Sequence, residues 1–202
     1  MLKRRLRNIA GVAAVFAAAT AFASTPGQPA PDFTITDASG KAAVKLADQR
    51  GKFVVLEWTN PECPFVQKHY DSGNMQGLQK EFTGKNVVWL SVNSTNRSHS
   101  EFKPGAEMTK WMSGHKAAQT AVLIDDTSSA GRAYAARTTP HMFVIDPQGK
   151  VVYAGAIDDK RSSNPADAKT ANNYVRAALT ESLAGKPVTV AQTRPYGCSV
   201  KY

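Results

Sequence analysis

The chain has 202 residues, of which 42% are hydrophobic and 20% are charged, and this length suffices for one domain with a sizeable core. Its formal net charge is +9, of which four positive charges lie at Lys3, Arg4, Arg5 and Arg7, so nine less four leaves +5 for the rest. That remaining charge forms no Lys/Arg block and no alternation with aromatic residues, which excludes the usual pattern of a nucleic-acid-binding protein.

The first 23 residues have the pattern of a secretory signal peptide. Basic residues precede the apolar stretch 9–19, which is too short to span a bilayer comfortably, and Ala21-Phe22-Ala23 matches an A-x-A cleavage site. We therefore predict cleavage after Ala23 and a periplasmic or secreted protein without a stable membrane span. An uncleaved N-terminal anchor is the alternative.

Composition divides the rest of the chain into three parts. Residues 24–31 are rich in Pro, Gly and Ala and are predicted to form a flexible linker. Residues 32–187 are predicted to form one domain, and residues 188–202 a C-terminal tail.

The predicted domain begins with a short hairpin over residues 32–46. The continuous apolar run 53–58 then predicts a strand that is buried on both faces. Helical spacing of apolar residues follows over 64–82, and we expect Asp71-Ser72-Gly73-Asn74 to interrupt or kink this helix.

Strands and helices alternate through the second half of the domain. Buried strands are predicted at 87–93 and 121–125, on either side of a helix over 107–116. Residues 142–155 are expected to form a hairpin, and an amphipathic helix over 171–183 closes the domain. This alternation predicts a three-layer α/β/α domain with a central mixed sheet.

Cys63 has the most informative position in the chain. It lies where an apolar strand ends and a helix begins, and Pro64 favours the first helical position, so the thiol is placed at a helix N-terminus. The positive end of the helix dipole stabilises a thiolate there. We therefore predict a reactive thiol rather than a small buried hydrophobic residue.

The second cysteine, Cys198, is fifth from the C-terminus. We favour a partnership with Cys63, because a tail cysteine that follows a Pro/Gly-rich segment can reach a distant site. A static structural disulfide between the two residues is one alternative, and an exposed tail cysteine that pairs incidentally or with another chain is the other.

Residues 53–65, together with Thr139-Pro140 and the strand 143–146, resemble the thioredoxin fold. The resemblance is closest to the exported redoxin (AhpC/TSA-related) group, which is related to peroxiredoxins and to thioredoxin-like disulfide reductases, and it covers roughly residues 29 to 185. It implies that Cys63 is the reactive cysteine. It also implies that Thr139 and a cis Pro140 face that cysteine as substrate-binding residues.

Two features depart from these families. Val66 stands three residues beyond Cys63, where thioredoxin-type reductases have a second cysteine, so no C-x-x-C dithiol can form. The peroxiredoxin motif has a proline and a Thr or Ser at the positions of Leu56 and Asn60, and its later arginine falls on or near Pro140. The residues that activate a peroxide are therefore largely absent.

Four other side chains are candidates for acting on the thiol. Glu57 matches the buried acid that thioredoxins use as a proton relay, and a strand-end carboxylate near solvent is the alternative. His141, beside Pro140, either approaches the Cys63 thiol or points to solvent. Glu57 and His141 are therefore the two candidates for tuning the pKa of that thiol, each with an alternative orientation. Lys68 and His69 follow Cys63 within two helical turns, and we expect them on the outer face of the helix.

The sequence thus predicts an exported thioredoxin-fold oxidoreductase that uses Cys63 as a thiolate, with Cys198 as its resolving partner. A protein or small-molecule disulfide is favoured over a hydroperoxide as substrate, although Thr59 or Arg137 could replace the missing peroxide-activating residues and make the protein a peroxiredoxin-like antioxidant enzyme. An unidentified thiol would donate electrons. No cofactor and no metal are predicted. The C-x-x-x-C pair with which copper chaperones of this fold bind their metal is not present in the sequence. The alternative is a non-catalytic module that binds a peptide or copper, with the two cysteines in a structural disulfide.

Overall fold

The computed structural model describes residues 24–202, so the predicted signal peptide lies outside the described residues. None of the helices in 24–202 is long and apolar enough to cross a membrane. The helices and strands, in chain order, are β1 (Thr34–Thr36), β2 (Ala43–Lys45), β3 (Val54–Trp58), α1 (Pro64–Asp71), α2 (Asn74–Thr83), β4 (Val88–Asn93), α3 (Gly105–Gly114), β5 (Ala121–Ile124), α4 (Ser129–Ala133), β6 (Thr138–Thr139), β7 (His141–Ile145), β8 (Val151–Gly155), α5 (Tyr174–Leu183) and β9 (Cys198–Ser199).

Five strands form the central sheet, in the order β5-β4-β3-β7-β8. The first three run parallel, whereas β7 is antiparallel to both β3 and β8. All residues of β3 are buried, which explains why all of them except Glu57 are apolar. The predicted mixed sheet is confirmed, and so is the N-terminal hairpin, in which β1 pairs antiparallel with β2.

Alternate residues of the central strands enter two hydrophobic clusters, one on each face of the sheet. The first cluster contains Val55, Trp89 and Cys63 and is covered by α1, α2, α3 and α5. The second contains Leu56 and Trp58 and is covered by the hairpin and the five-residue helix α4. The second outer layer of the predicted three-layer domain is therefore thin.

The interruption predicted within the first long helical segment is present. Helix α1 ends at Asp71 and α2 begins at Asn74, and Gly73 between them has a left-handed backbone with φ 74°. Glycine suits this position because it has no Cβ. The short α1 starts at the carboxyl end of β3, and this places Cys63 where the sequence predicts it.

Residues 24–31 differ from the expected flexible linker, because they are hydrogen-bonded to the domain. The Gly27 N–H donates to the Val151 carbonyl at 2.8 Å, and the Ala30 N–H donates to the Gly149 carbonyl at 2.9 Å. The segment lies along the start of β8 and satisfies backbone groups at that edge. A Pro/Gly-rich composition signals irregular backbone here, but not detachment from the domain.

We expect Leu78→Ala to lower the free energy of unfolding by about 2–5 kcal/mol, because Leu78 on α2 is fully buried and its truncation leaves a cavity. The matched control is Leu183→Ala at the end of α5, where the side chain is 39% exposed. The control should lose about 0.5 kcal/mol or less. Urea unfolding followed by tryptophan fluorescence measures both, and equal losses would contradict the location of the core.

Candidate active site

Cys63 is the N-cap residue of α1, and Pro64 follows it in the first turn. Its carbonyl accepts the first helical hydrogen bonds, from the N–H groups of Val66 and Gln67, while its side chain makes no capping bond. The thiol instead donates to the Thr139 carbonyl at 3.0 Å, and the residue is only 1% exposed. The sulfur is therefore held at the helix N-terminus, where a negative charge is favoured.

The C-terminal tail brings Cys198 to this thiol. Strand β9 pairs antiparallel with β6, so that Cys198 lies opposite Thr139. The Cys63 and Cys198 sulfurs are 2.6 Å apart, and both cysteines are free. A disulfide joins two sulfurs at about 2.05 Å, so these two sulfurs are placed to form one without a change in the course of the backbone.

The two residues expected to bind substrate lie beside Cys63. The peptide bond between Thr139 and Pro140 is cis, as the sequence resemblance implies. The Thr139 carbonyl points at the Cys63 thiol, and the backbone edge of the same residue is paired with the chain's own tail. Any extended ligand that uses this edge must therefore replace the tail.

Gly197 makes the close approach of the tail possible. Its backbone has φ 136°, and a Cβ at this position would lie 2.0 Å from the Thr139 carbonyl oxygen. Only glycine fits both the conformation and the space. The glycine directly before Cys198 is visible in the sequence. Its role is not, because the Thr139 carbonyl that it packs against is remote in the chain.

Lys68 and His69 are both fully buried, so the expectation that they lie on the outer face of α1 is wrong. The Lys68 ammonium donates to the Lys160 carbonyl at 2.5 Å and lies 3.6 Å from the Asp158 carboxylate. Burial lowers the pKa of His69 to about 3, with a smaller effect of the Lys68 charge, so the imidazole is neutral at pH 7. The segment after β8 folds over this side of α1.

Tyr196 joins this buried cluster to the tail. Its hydroxyl donates to Asp158 and accepts from Lys68 at 3.3 Å and from the His69 Nε2–H at 3.2 Å. Burial raises the pKa of the Asp158 carboxyl, and the Tyr196 hydrogen bond and the Lys68 charge oppose this shift. Because Tyr196 precedes Cys198 by two residues, the cluster anchors the tail next to the active thiol.

Glu57 is buried in the sheet and does not lie at a solvent-exposed strand end. Burial raises its pKa, and hydrogen bonds from four side chains oppose that shift. The donors, at 2.7–3.1 Å, are Tyr70, Gln79, Trp89 and Ser91. The carboxyl group is thus bonded to residues other than Cys63, and among the described residues no hydrogen bond joins it to the thiol.

His141 lies on the face of the sheet opposite to Cys63. Met142 enters the cluster that contains Cys63, whereas the His141 ring packs on Phe143 with 4.5 Å between the ring centroids. Its Nδ1 accepts the Arg137 backbone N–H at 3.2 Å, and burial, with a smaller effect of the Arg137 charge, lowers the His141 pKa to about 3. Neither candidate for tuning the acidity of the thiol therefore contacts it.

The loop before Cys63 is fixed by Asn60, the residue at the peroxiredoxin Thr/Ser position. Its side chain accepts the Glu62 backbone N–H at 2.9 Å and donates to the Glu101 carboxylate at 2.8 Å. Both polar atoms of the Asn60 amide are therefore used in hydrogen bonds that hold the loop. Across residues 24–202, no group of three or more His, Cys, Asp or Glu side chains is placed to hold a metal ion.

A central mixed sheet, a cis-proline and a cysteine at the first strand-to-helix junction define a thioredoxin-like redoxin protein. Residues 26–154 match the AhpC/TSA family, which is more than half of the chain, and the chain belongs to that family.

The chain is also similar to individual proteins. The chain is 27% identical over 133 residues to the thiol-disulfide oxidoreductase ResA of Bacillus subtilis, a match that covers 62% of this chain and 64% of ResA, so less than two thirds of that relative is spanned. An uncharacterised conserved protein from Geobacillus kaustophilus has a TM-score of 0.78 and 28% identity, with 89% and 93% of the two chains covered. A hypothetical protein from Sinorhizobium meliloti has a TM-score of 0.71 and 26% identity, with 88% and 94% covered.

Replacement of Gly197 by alanine should slow disulfide formation between Cys63 and Cys198 on the order of tenfold, because the new Cβ pushes the tail off Thr139 and lowers the effective concentration of the second thiol. Gly185→Ala is the matched control, since Gly185 also has a positive φ of 69° but nothing within 4 Å. Quenched thiol counting after addition of oxidised glutathione measures the rates. Equal rates in the two variants would contradict the docking of the tail.

Proposed function

We propose that the protein is a thiol–disulfide oxidoreductase in which Cys63 and Cys198 cycle between a dithiol and a disulfide. The observation that carries the proposal is the 2.6 Å approach of these two sulfurs, which are 135 residues apart in sequence, at the N-terminus of α1. The relative ResA, which is named as a thiol-disulfide oxidoreductase, supports the same reaction class.

In the proposed reaction, the Cys63 thiolate attacks one sulfur of a substrate disulfide. A mixed disulfide forms, and the other substrate sulfur leaves as a thiolate that takes up a proton. Cys198 then loses its proton and attacks the Cys63 sulfur, which releases the second substrate thiol and leaves the Cys63–Cys198 disulfide. Two electrons pass to the substrate, and an external thiol donor restores the dithiol.

The environments of the two sulfurs support this division of roles. Cys63 lies at a helix N-terminus, which favours the thiolate. Burial raises the pKa of Cys198 to about 12, and its contact with Cys63 adds to the shift. Cys63 is therefore assigned as the attacking group, and Cys198 as the group that resolves the mixed disulfide.

Access to the site requires the tail to move. Cys63 is 1% exposed beneath the tail, whereas Cys198 is partly exposed. The edge of Thr139, where an extended substrate would pair, is occupied by Cys198. We infer that substrate and tail alternate at this edge, so that the tail leaves for the first step and returns for the second.

The proposed place of action is outside the cytoplasm, in the periplasm or after secretion. The support is the signal-peptide pattern of residues 1–23. An oxidising compartment also allows disulfides of substrate proteins to persist, so that they can serve as substrates.

The direct test uses 5,5′-dithiobis(2-nitrobenzoate) as a disulfide probe on the reduced protein. Wild type should release both coloured thiolates and end as an internal disulfide. Cys198→Ser should release one thiolate and retain the other as a mixed disulfide on Cys63, because no resolving thiol is present. Absorbance and intact mass report the outcomes.

Cys63→Ser provides the control for that test, and its remaining thiol should react on the order of tenfold more slowly, because burial, the largest cause of the raised pKa of Cys198, persists when Cys63 is replaced. Equal behaviour of the two variants would contradict the proposed roles. A parallel reaction with hydrogen peroxide should be no faster than with free cysteine. A fast peroxide reaction would assign the protein to peroxide reduction instead.

Tyr196→Phe should shift the dithiol–disulfide equilibrium toward the dithiol by roughly tenfold or more, because it removes a buried hydroxyl bonded to charged groups that holds the tail. The control Tyr134→Phe also loses one buried hydroxyl, but that hydroxyl donates to the Pro31 carbonyl at 2.8 Å and not to a residue of the tail. Equilibration in dithiothreitol redox buffers measures the constant. An unchanged constant in Tyr196→Phe would contradict the anchoring role of this residue.

A further inference from the structure

A cavity of about 440 Å³ lies on the face of the sheet opposite to Cys63. One wall comes from residues 134–143 around the cis-proline, and another from residues 192–195, which lead into the tail. Residues 24–25 complete it. The volume falls within the range of about 300–1,000 Å³ that is usual for small-molecule sites.

The charges of the cavity are all of one sign. Its lining includes Arg137 and Arg194 but no Asp or Glu. Within residues 24–202, neither guanidinium forms an ion pair. Residues 1–23 contain no Asp or Glu that could supply one. Two arginines thus share a cavity with no protein carboxylate to neutralise them.

His141 adds a neutral donor to the same wall. Because its Nδ1 accepts the Arg137 backbone N–H at 3.2 Å, the neutral ring carries its proton on Nε2. This Nε2–H has no hydrogen-bond partner among the described residues, while the ring lines the cavity. Nearby, the Ser24 hydroxyl is buried and also lacks a partner in that part of the chain. The cavity therefore holds two polar groups without a protein partner in residues 24–202, the His141 Nε2–H and the Ser24 hydroxyl, beside its two arginines.

We propose that this cavity binds a small anion that carries a carboxylate or phosphate group, held by Arg137, Arg194 and the Nε2–H of His141. The guanidinium fork matches the oxygen spacing of both groups and binds them bidentately. The Nε2–H of His141 would donate a further hydrogen bond to the anion, in addition to those from the two guanidinium groups. His141 is buried, whereas Arg137 and Arg194 are exposed, so the imidazole contact would be shielded from water and the two guanidinium contacts would be screened by solvent and salt.

The position of the cavity links this site to the tail. The Arg137 carbonyl accepts the Val200 N–H at 3.1 Å, so Arg137 belongs to the segment on which the tail docks. Arg194 lies on the other side, four residues before Cys198. An anion that bridges both arginines would hold the tail in place, and tail docking would in turn strengthen anion binding. This coupling rests on the proposed function, whereas the binding site does not.

The test is calorimetric titration of the full-length reduced protein at low salt, with inorganic phosphate and, separately, with succinate. At least one probe should bind saturably, and the tighter one defines the anion class. Arg137→Gln and Arg194→Gln should each weaken binding about tenfold or more, since a charged hydrogen bond is lost. Arg176→Gln removes the same charge from α5, where Arg176 pairs with Glu81, and should leave the affinity within about twofold.

Failure to bind either probe, or equal weakening in all three variants, would overturn the site. The coupling has its own readout, a shift of the dithiol–disulfide equilibrium toward the disulfide at saturating probe. Binding without this shift would overturn the coupling alone. A protein that never forms the Cys63–Cys198 disulfide would contradict the proposed function and leave the anion site standing.

Discussion

The pairing of β9 with β6 is the interaction on which the candidate active site depends. It sets Cys198 opposite Thr139, whose carbonyl also contacts the Cys63 thiol. With Val66 at the position of the usual second cysteine, Cys63 would be a solitary thiol without this pairing. Under the proposed function, the two-residue strand β9 would supply the second cysteine that a C-x-x-C motif supplies locally in thioredoxin-type reductases.

The strength of this pairing is set by opposing contributions. Tyr196 is buried and bonded to Asp158, Lys68 and His69, which favours the docked tail. Lys68 and Asp158 are themselves almost fully buried, and the desolvation of these charges offsets much of the gain from their interactions. In the proposed reaction cycle, this opposition would favour a tail that can leave the site and return to it.

The fold is largely readable from the sequence because its signals are local. The apolar run of β3 marks a doubly buried strand, and Pro64 marks the start of α1. The burial of Lys68 cannot be predicted from the sequence, because its partners Asp158 and Tyr196 are remote in the chain. A lysine on a helix ordinarily indicates a solvent-exposed face. The orientation of His141 follows from strand alternation only once the register of β7 is known.

We propose that Cys63 and Cys198 form a disulfide within one chain, through the docked tail. Peptide mapping by mass spectrometry under non-reducing conditions, applied to the monomeric fraction of the oxidised protein, tests it most directly. We expect a Cys63–Cys198 link within the monomer, in keeping with the 2.6 Å separation of the sulfurs. Two free thiols after oxidation, or a disulfide found only between chains, would contradict it.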